Sequence, residues 1–565
     1  MKEKNKFNRR SFIETAGLVA AGFYAMPLFS SCKSDTPSAH PNVGNAVNND
    51  FDADIDIQLK AVQSSTKILS SKNTDTYSYR GSLVKGDKQT LQQLEGSALG
   101  PIIRVKKGDR VRIRFENEIP DKSIIHWHGL HVSHENDGHP EHVIEEGETY
   151  FYEFEVMNRA GTYWFHPHPH GHTGEQVYRG LAGLFIVTDE EEKGLNLPTG
   201  DYDVPVVIQD RTFDENNQLV YLPNGKMDQM LGFLGNRILI NGKIDNTLSL
   251  NKDGKYRLRL LNGSNSRAYK LAWGSGEPIT VFGVDGGLLG SPKILPYLML
   301  GPAQRVDVWL DLSKKSQNEE LKLIHLPIPL DNMMSGGMMG GGMMGGGMMG
   351  NQSDNSLPYN SQFDILNINV GASRKNDASL PDRLPTYKTL NPTDVANRTS
   401  PRTFNFGMEE MMEWTINGRT YNGMEVADEE IVKLNTTEVW RINNGGNSTT
   451  ESQNDGGGMM GMRGNGGMMG NGSGMGNMMQ MPHPVHIHQL QFNIINRNTD
   501  NVDRNLWNAV KDGIVDEGWQ DSVYLLPGMY MDLVMRFEDF KGLFLYHCHN
   551  LEHEDMGMMR NFKIE

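Results

Sequence analysis

The densest chemistry in this chain lies near its end, in Leu545-Tyr546-His547-Cys548-His549, with His553 and Met558 close behind. Cys548 is one of two cysteines, the other being Cys32. A thiolate, an imidazole and a thioether in that order make most of a type 1 (blue) copper site, which takes two histidines, a cysteine and a weak axial methionine. His483 is the candidate for the second histidine. Four pairs share the form His-X-His: His126-Trp127-His128, His166-Pro167-His168, His486-Ile487-His488 and His547-Cys548-His549. Alternate side chains of an extended strand share a face, so each pair offers two imidazoles side by side. Eight imidazoles exceed the needs of a mononuclear site and suit a cluster of three copper ions. The same alternation turns Cys548 away from His547 and His549. A copper on the thiolate would then be one residue of backbone from the cluster.

The elements that must hold these residues read as strands. Short Val/Ile/Leu/Tyr alternations are cut by Gly, Asn, Asp and Pro. One pattern recurs: Gly108-Asp109-Arg110-Val111-Arg112-Ile113-Arg114-Phe115-Glu116-Asn117 is echoed from Gly254 to Asn262 and, more weakly, from Thr437 to Asn443. Three echoes at domain-sized spacing predict three tandem all-β domains of similar build. A length of 565 residues accommodates them, and 37% hydrophobic residues can fill several cores. A net charge of −16 argues against nucleic acid and anionic lipid as partners and mildly favours cations. Two cysteines exclude a disulfide framework.

The N-terminus reads as an address. Arg9-Arg10-Ser11-Phe12-Ile13 precedes an uncharged stretch from Thr15 to Phe29, which is short for a membrane span and fits the apolar part of a signal peptide. The arginine pair looks like a twin-arginine export signal. Ser30-Ser31-Cys32 resembles the end of a bacterial lipoprotein signal, with Cys32 the lipidated residue. The expected location is the periplasm or cell envelope, with membrane contact only through that anchor. Residues 1–32 are thus signal and 33–54 a polar tether.

Methionine is over-used. Seventeen of the 33 fall in two glycine-rich runs, 333–350 and 456–481, which are loops by composition. Thioether is a soft ligand that selects Cu(I) and does not protonate. The second run ends two residues before His483, so it must lie near the thiolate. His131, His134, His139, His142, His170 and His172 read as solvated loop residues, and His325 as structural.

With these motifs in place, the chain resembles the multicopper oxidases, in particular the three-domain copper-efflux type. The resemblance rests on His126-Trp127-His128-Gly129, Trp164-Phe165-His166-Pro167-His168, His483-Pro484-Val485-His486-Ile487-His488 and His547-Cys548-His549 through Met558. Gly180-Leu181-Ala182-Gly183, Leu260-Leu261-Asn262-Gly263 and Ile416-Asn417-Gly418 add to it. It implies three cupredoxin-like Greek-key β-barrel or sandwich domains at 55–195, 196–390 and 391–565, with the cluster between first and third. It implies four coppers: type 1 on His483, Cys548, His553 and Met558; type 2 on His126 and His486; and a type 3 pair on His128, His166, His168, His488, His547 and His549. Asp137 and Glu554 match residues that relay protons. Met481 matches a substrate-copper methionine, while Met479 departs from an aspartate at that place. The implied reaction is reduction of O2 to water at the expense of Cu(I). The alternatives are a laccase-like oxidase of phenols or other small organic reductants, and an envelope copper store.

Overall fold

The computed structural model describes residues 47–330, 357–385, 387–391, 395–409, 413–445 and 481–565. The export signal, Cys32, most of the tether, Met479 and both methionine-rich runs except Met481 lie outside the described residues. Among the described residues no helix is long and apolar enough to cross a membrane.

Among the described residues six sheets form three successive pairs, each built from one stretch of chain. The protein is all-β with cupredoxin-type domains, and its few helices are short. The echoed sequences occupy one topological position. Arg110–Glu118 pairs parallel with Ile55–Thr66 and antiparallel with Thr149–Glu155. Lys255–Asn262 pairs parallel with Asp203–Arg211 and antiparallel with Arg305–Asp311. Thr436–Asn444 pairs parallel with Arg402–Glu409 and antiparallel with Tyr530–Phe537. Alternation makes the strand: in Arg110–Glu118 every second residue, Val111, Ile113, Phe115 and Asn117, is buried.

Each echo ends in a buried asparagine that ties loop to sheet. Asn117 Nδ2 donates to Asp121 O and Ile144 O, and Asn262 Nδ2 to Arg267 O and Leu300 O. The third counterpart is Asn444, whose Nδ2 donates to Met481 O and Leu525 O, rather than Asn443. Asn443 instead donates to Asn405. A side-chain alternation of two makes a one-residue shift decisive: Asn443 sits on the other face.

The tether is anchored before it ends. Arg112 donates to the carbonyls of Asn48 and Phe51, and the Arg110 guanidinium lies 4.4 Å over the Phe51 ring. The middle domain's His325 stacks on Phe363 at 4.5 Å and accepts from Lys270 N, a packing role.

One short helix, Leu551–Asp555, pins three domains together. Glu552 accepts from Tyr221 Oη, Asn265 Nδ2, Ser266 Oγ and Phe233 N of the middle domain. Asp555 accepts from Thr173 N and Gly174 N of the first. His553 and Glu554, between them, face the sites described next.

Candidate metal centre

The strand Gly542–Cys548 lies antiparallel to His483–Ile487, with Val485 opposite Cys548 and His486 opposite His547. This register sorts the ligands onto two sides. Cys548 enters the third-domain core with Met558, Val485 and Trp414, while His547 and His549 face a histidine cluster shared with the first domain.

On the core side, Cys548 Sγ is 3.4 Å from His483 Nδ1 and 3.7 Å from His553 Nδ1. Met558 is fully buried beside them, and its carbonyl accepts from Cys548 N. His553 Nε2 donates to Met230 O at 3.0 Å, a main-chain carbonyl of the middle domain's helix Lys226–Leu231, which leaves Nδ1 free toward the sulfur. Burial pushes His553 down to about 3 and holds His483 well below its ordinary value, so both imidazoles are neutral donors. Burial also raises the Cys548 thiol far above its ordinary value. Without a cation the thiol keeps its proton, and a coordinated metal removes it.

Trp414 covers this site. Its ring lies 4.4 Å from His553 and 5.0 Å from His483, and its Nε1 donates to Met230 O. Trp414→Ala should cost about 3–5 kcal/mol, the scale for truncating a buried tryptophan. Thermal unfolding of the copper-loaded variant, followed by its blue colour, checks this. An unchanged midpoint would contradict it.

Across the strand the eight cluster imidazoles are fully buried or nearly so. They fall into a facing pair and two triads. His126 Nε2 faces His486 Nε2 at 3.2 Å. The Nε2 atoms of His168, His488 and His547 converge, at 3.3 Å for His168–His547 and 3.1 Å for His488–His547. The rings of His128, His166 and His549 lie 5.1–5.6 Å apart.

Second partners fix the inward nitrogens. His126 Nδ1 donates to Asp137 O, and His488 Nδ1 meets Asp137 Oδ2 at 2.8 Å. His486 Nδ1 donates to Asp521 O, and His166 Nδ1 to Pro167 O. His128 Nε2 lies 3.1 Å from both Asp521 Oδ1 and Ser522 Oγ, leaving Nδ1 to the cluster.

These residues fit copper. His128 Nδ1, His166 Nε2 and His549 Nε2 are buried without a hydrogen-bond partner. Such a loss costs about 1–3 kcal/mol apiece unless something else, here a metal, takes the lone pair. Burial and mutual repulsion hold His126, His128, His486, His488 and His549 well below their ordinary values, with His166 at about 4 and His168 at about 3. Neutral imidazoles are the form that binds metal.

Two carboxylates flank the cluster, with shifts in opposite directions. Burial pushes Asp137 well above the ordinary carboxylate range. Burial also works to raise Glu554, but the His168 and His547 imidazoles outweigh it and hold the carboxyl well below. Glu554 Oε2 stands 3.1 Å from His547 Nδ1.

Three features escaped sequence reasoning. Asp521 holds two cluster imidazoles and forms a doubly bonded ion pair with Arg305 of the middle domain. Trp414 and the Met230 carbonyl shape the thiolate side. No His-X-His spacing flags an aspartate after Trp519-Gln520, and a main-chain carbonyl has no sequence signature. The loop histidines also differ from expectation. His139 is fully buried, donating from Nε2 to Asn561 Oδ1 and accepting at Nδ1 from Glu141 N. His131, His134, His142, His170 and His172 are half-buried. First-domain loops pack against the third domain and are not left to solvent. Met481 is 5% exposed.

Comparison with known proteins agrees with this geometry. Family models described as multicopper oxidase match residues 77–192 and 474–565. The chain is 28% identical to a multicopper oxidase of Staphylococcus aureus over 90% of its own length and 88% of the relative's. It is 26% identical to a laccase of Bacillus subtilis, covering 82% of this chain and 88% of that one. The crystal structure of the McoA multicopper oxidase of Aquifex aeolicus superposes with a TM-score of 0.69 at 29% identity, covering 91% of this chain and 97% of that one.

Proposed function

Because the chain belongs to the multicopper oxidases, and so is a copper-dependent oxidoreductase with oxygen as acceptor, we propose that its reductant is Cu(I) and its role copper tolerance in the cell envelope. Four Cu(I) ions, one O2 and four protons would give four Cu(II) ions and two waters. The observation that carries this reading is the concentration of methionine along the sequence, in a run that leads into His483 of the thiolate site. Seventeen thioethers stand in two runs, and the second leads directly through Met481 into His483. Exposed linkers ordinarily use serine, threonine and charge, whereas thioether selects Cu(I).

Four resident coppers would be held by His483, Cys548, His553 and Met558; by His126 and His486; and by the triads His168, His488, His547 and His128, His166, His549. Bound copper supplies one-electron transfer at the thiolate and four-electron reduction of O2 at the cluster. The chain's own part is positional. Cys548 holds the donor side, and its peptide bonds run straight to His547 and His549. Trp414 keeps water from His483 and His553. The closed burial of the cluster imidazoles excludes solvent. Asp137 and Glu554, whose Oδ2 and Oε2 face His488 Nδ1 and His547 Nδ1, stand where protons could be relayed to the cluster, and position matters first. The envelope location rests on Arg9-Arg10 and Cys32.

The laccase relative favours a second reading, a small organic reductant such as a phenol. Oxygen uptake with Cu(I) or a phenol as sole reductant, on the whole protein and on one lacking 333–350 and 456–480, separates the two. Excision should slow Cu(I) turnover at least roughly tenfold, the rate equivalent of about 1.4 kcal/mol, and leave phenol oxidation intact or faster. Equal Cu(I) turnover would overturn the Cu(I) reading. Binding of many Cu(I) ions with negligible oxygen uptake would indicate a store.

A further inference from the structure

A second set of histidines converges away from the residues assigned above. His134 opens the short helix His134–Asp137, and Glu141 and His142 lie on the following turn, Pro140–His142. Glu141 Oε1 contacts His134 Nε2 and lies 3.5 Å from His142 Nε2. The His134 and His142 rings are 5.0 Å apart. All three atoms are buried, and none has a hydrogen-bond partner outside the trio. Three buried polar atoms that converge on one another, with no partner beyond these mutual contacts to satisfy them, mark a ligand position rather than a solvated loop.

The neighbourhood fixes this arrangement. His139 is occupied on both nitrogens, by Glu141 N and by Asn561 Oδ1, so it sets Glu141 in place and has no nitrogen left for a metal. Gly542 backs onto His134: a Cβ at Gly542 would stand 2.6 Å from His134 Cβ, and its φ of +137° is one that side-chain-bearing residues rarely adopt. Burial lowers His142 below its ordinary value and keeps its lone pair available, while its side chain stays 22% exposed toward solvent. A net charge of −16 draws cations to such an opening.

We propose that His134, His142 and Glu141 bind a divalent cation of borderline softness, Zn2+ or Cu2+, with water completing the shell. Two imidazoles and a carboxylate suit those ions rather than Ca2+ or Mg2+. Ligand atoms about 2 Å from zinc stand roughly 3–3.5 Å apart, near the His142–Glu141 separation; the closer His134–Glu141 contact opens to admit the ion. The cation would tie together the two ends of the segment whose middle, Asp137, holds His126 and His488. It would brace the cluster from outside it.

The test is Zn2+ binding to the copper-loaded full chain, by equilibrium dialysis with metal analysis, for the wild type, His142→Ala and Glu141→Gln. Blue absorption verifies that each variant holds its thiolate site. The expected result is one Zn2+ fewer per chain in His142→Ala and at least tenfold weaker binding of that ion in Glu141→Gln. Equal stoichiometry and affinity in all three would overturn the proposal. Anomalous scattering at the zinc edge from zinc-soaked wild-type crystals decides independently of any variant. A peak among His134 Nε2, Glu141 Oε1 and His142 Nε2 supports it, and a fully zinc-equilibrated crystal without that peak overturns it.

Discussion

Cys548→Ser should remove the blue colour and lower oxygen uptake by at least about a thousandfold, the scale of losing one member of a set that acts as a unit. A serine hydroxyl is a hard, weakly acidic donor in a place where burial already opposes ionisation of the thiol. His483 and His553, 3.4 and 3.7 Å from the sulfur, would lose the third member of their site. The strand's alternation confines the damage. His547 and His549 face away from the substitution, so the variant should retain three of four coppers by metal analysis, with the cluster still formed. Retained turnover would refute the assignment of the electron port. Loss of all four coppers would refute the two-sided reading of the strand.

Asp521→Ala should be the most damaging change outside the proposed copper ligands. The carboxylate is completely buried, paired through both oxygens with Arg305 and placed 3.1 Å from His128 Nε2. Removing one partner of a buried ion pair costs about 3–5 kcal/mol. Asp285, 3.4 Å from Arg305 Nη1, offsets part of this. Loss of a partner that orients a metal-binding imidazole typically lowers metal affinity or activity by roughly 10–100-fold. The main-chain carbonyl of residue 521 still receives His486 Nδ1, so the effect should centre on His128. Calorimetric unfolding and cluster copper content report the two consequences separately. A variant with wild-type values for both would show that Asp521 merely fills space.

What was legible from residue order was what depends on local geometry. Cys548 opposing its neighbours follows from strand alternation alone. The three echoes reported three equivalent strands because the same parallel and antiparallel partners impose the same pattern. The slip within the echoes, Asn443 for Asn444, arose where the third echo is weakest. What stayed hidden comes from contacts between distant stretches. Asp521 reaches Arg305 and His128 across three domains. His139 is buried only because a first-domain loop meets Asn561 on the last strand. Arg110 and Arg112, read as part of an echo, also capture the end of the tether. None of these leaves a trace in spacing or composition.

The carbonyl of Met230 carries a consequence for anyone who would retune this enzyme. The proton on His553, and with it the basicity of the nitrogen offered to the proposed copper, is governed by an atom that every amino acid possesses. Exchanging the side chain at position 230 leaves that atom in place. The port's driving force is therefore adjustable from the middle domain only by displacing the short helix that bears it, so a search over single replacements at the port itself explores just part of the available range.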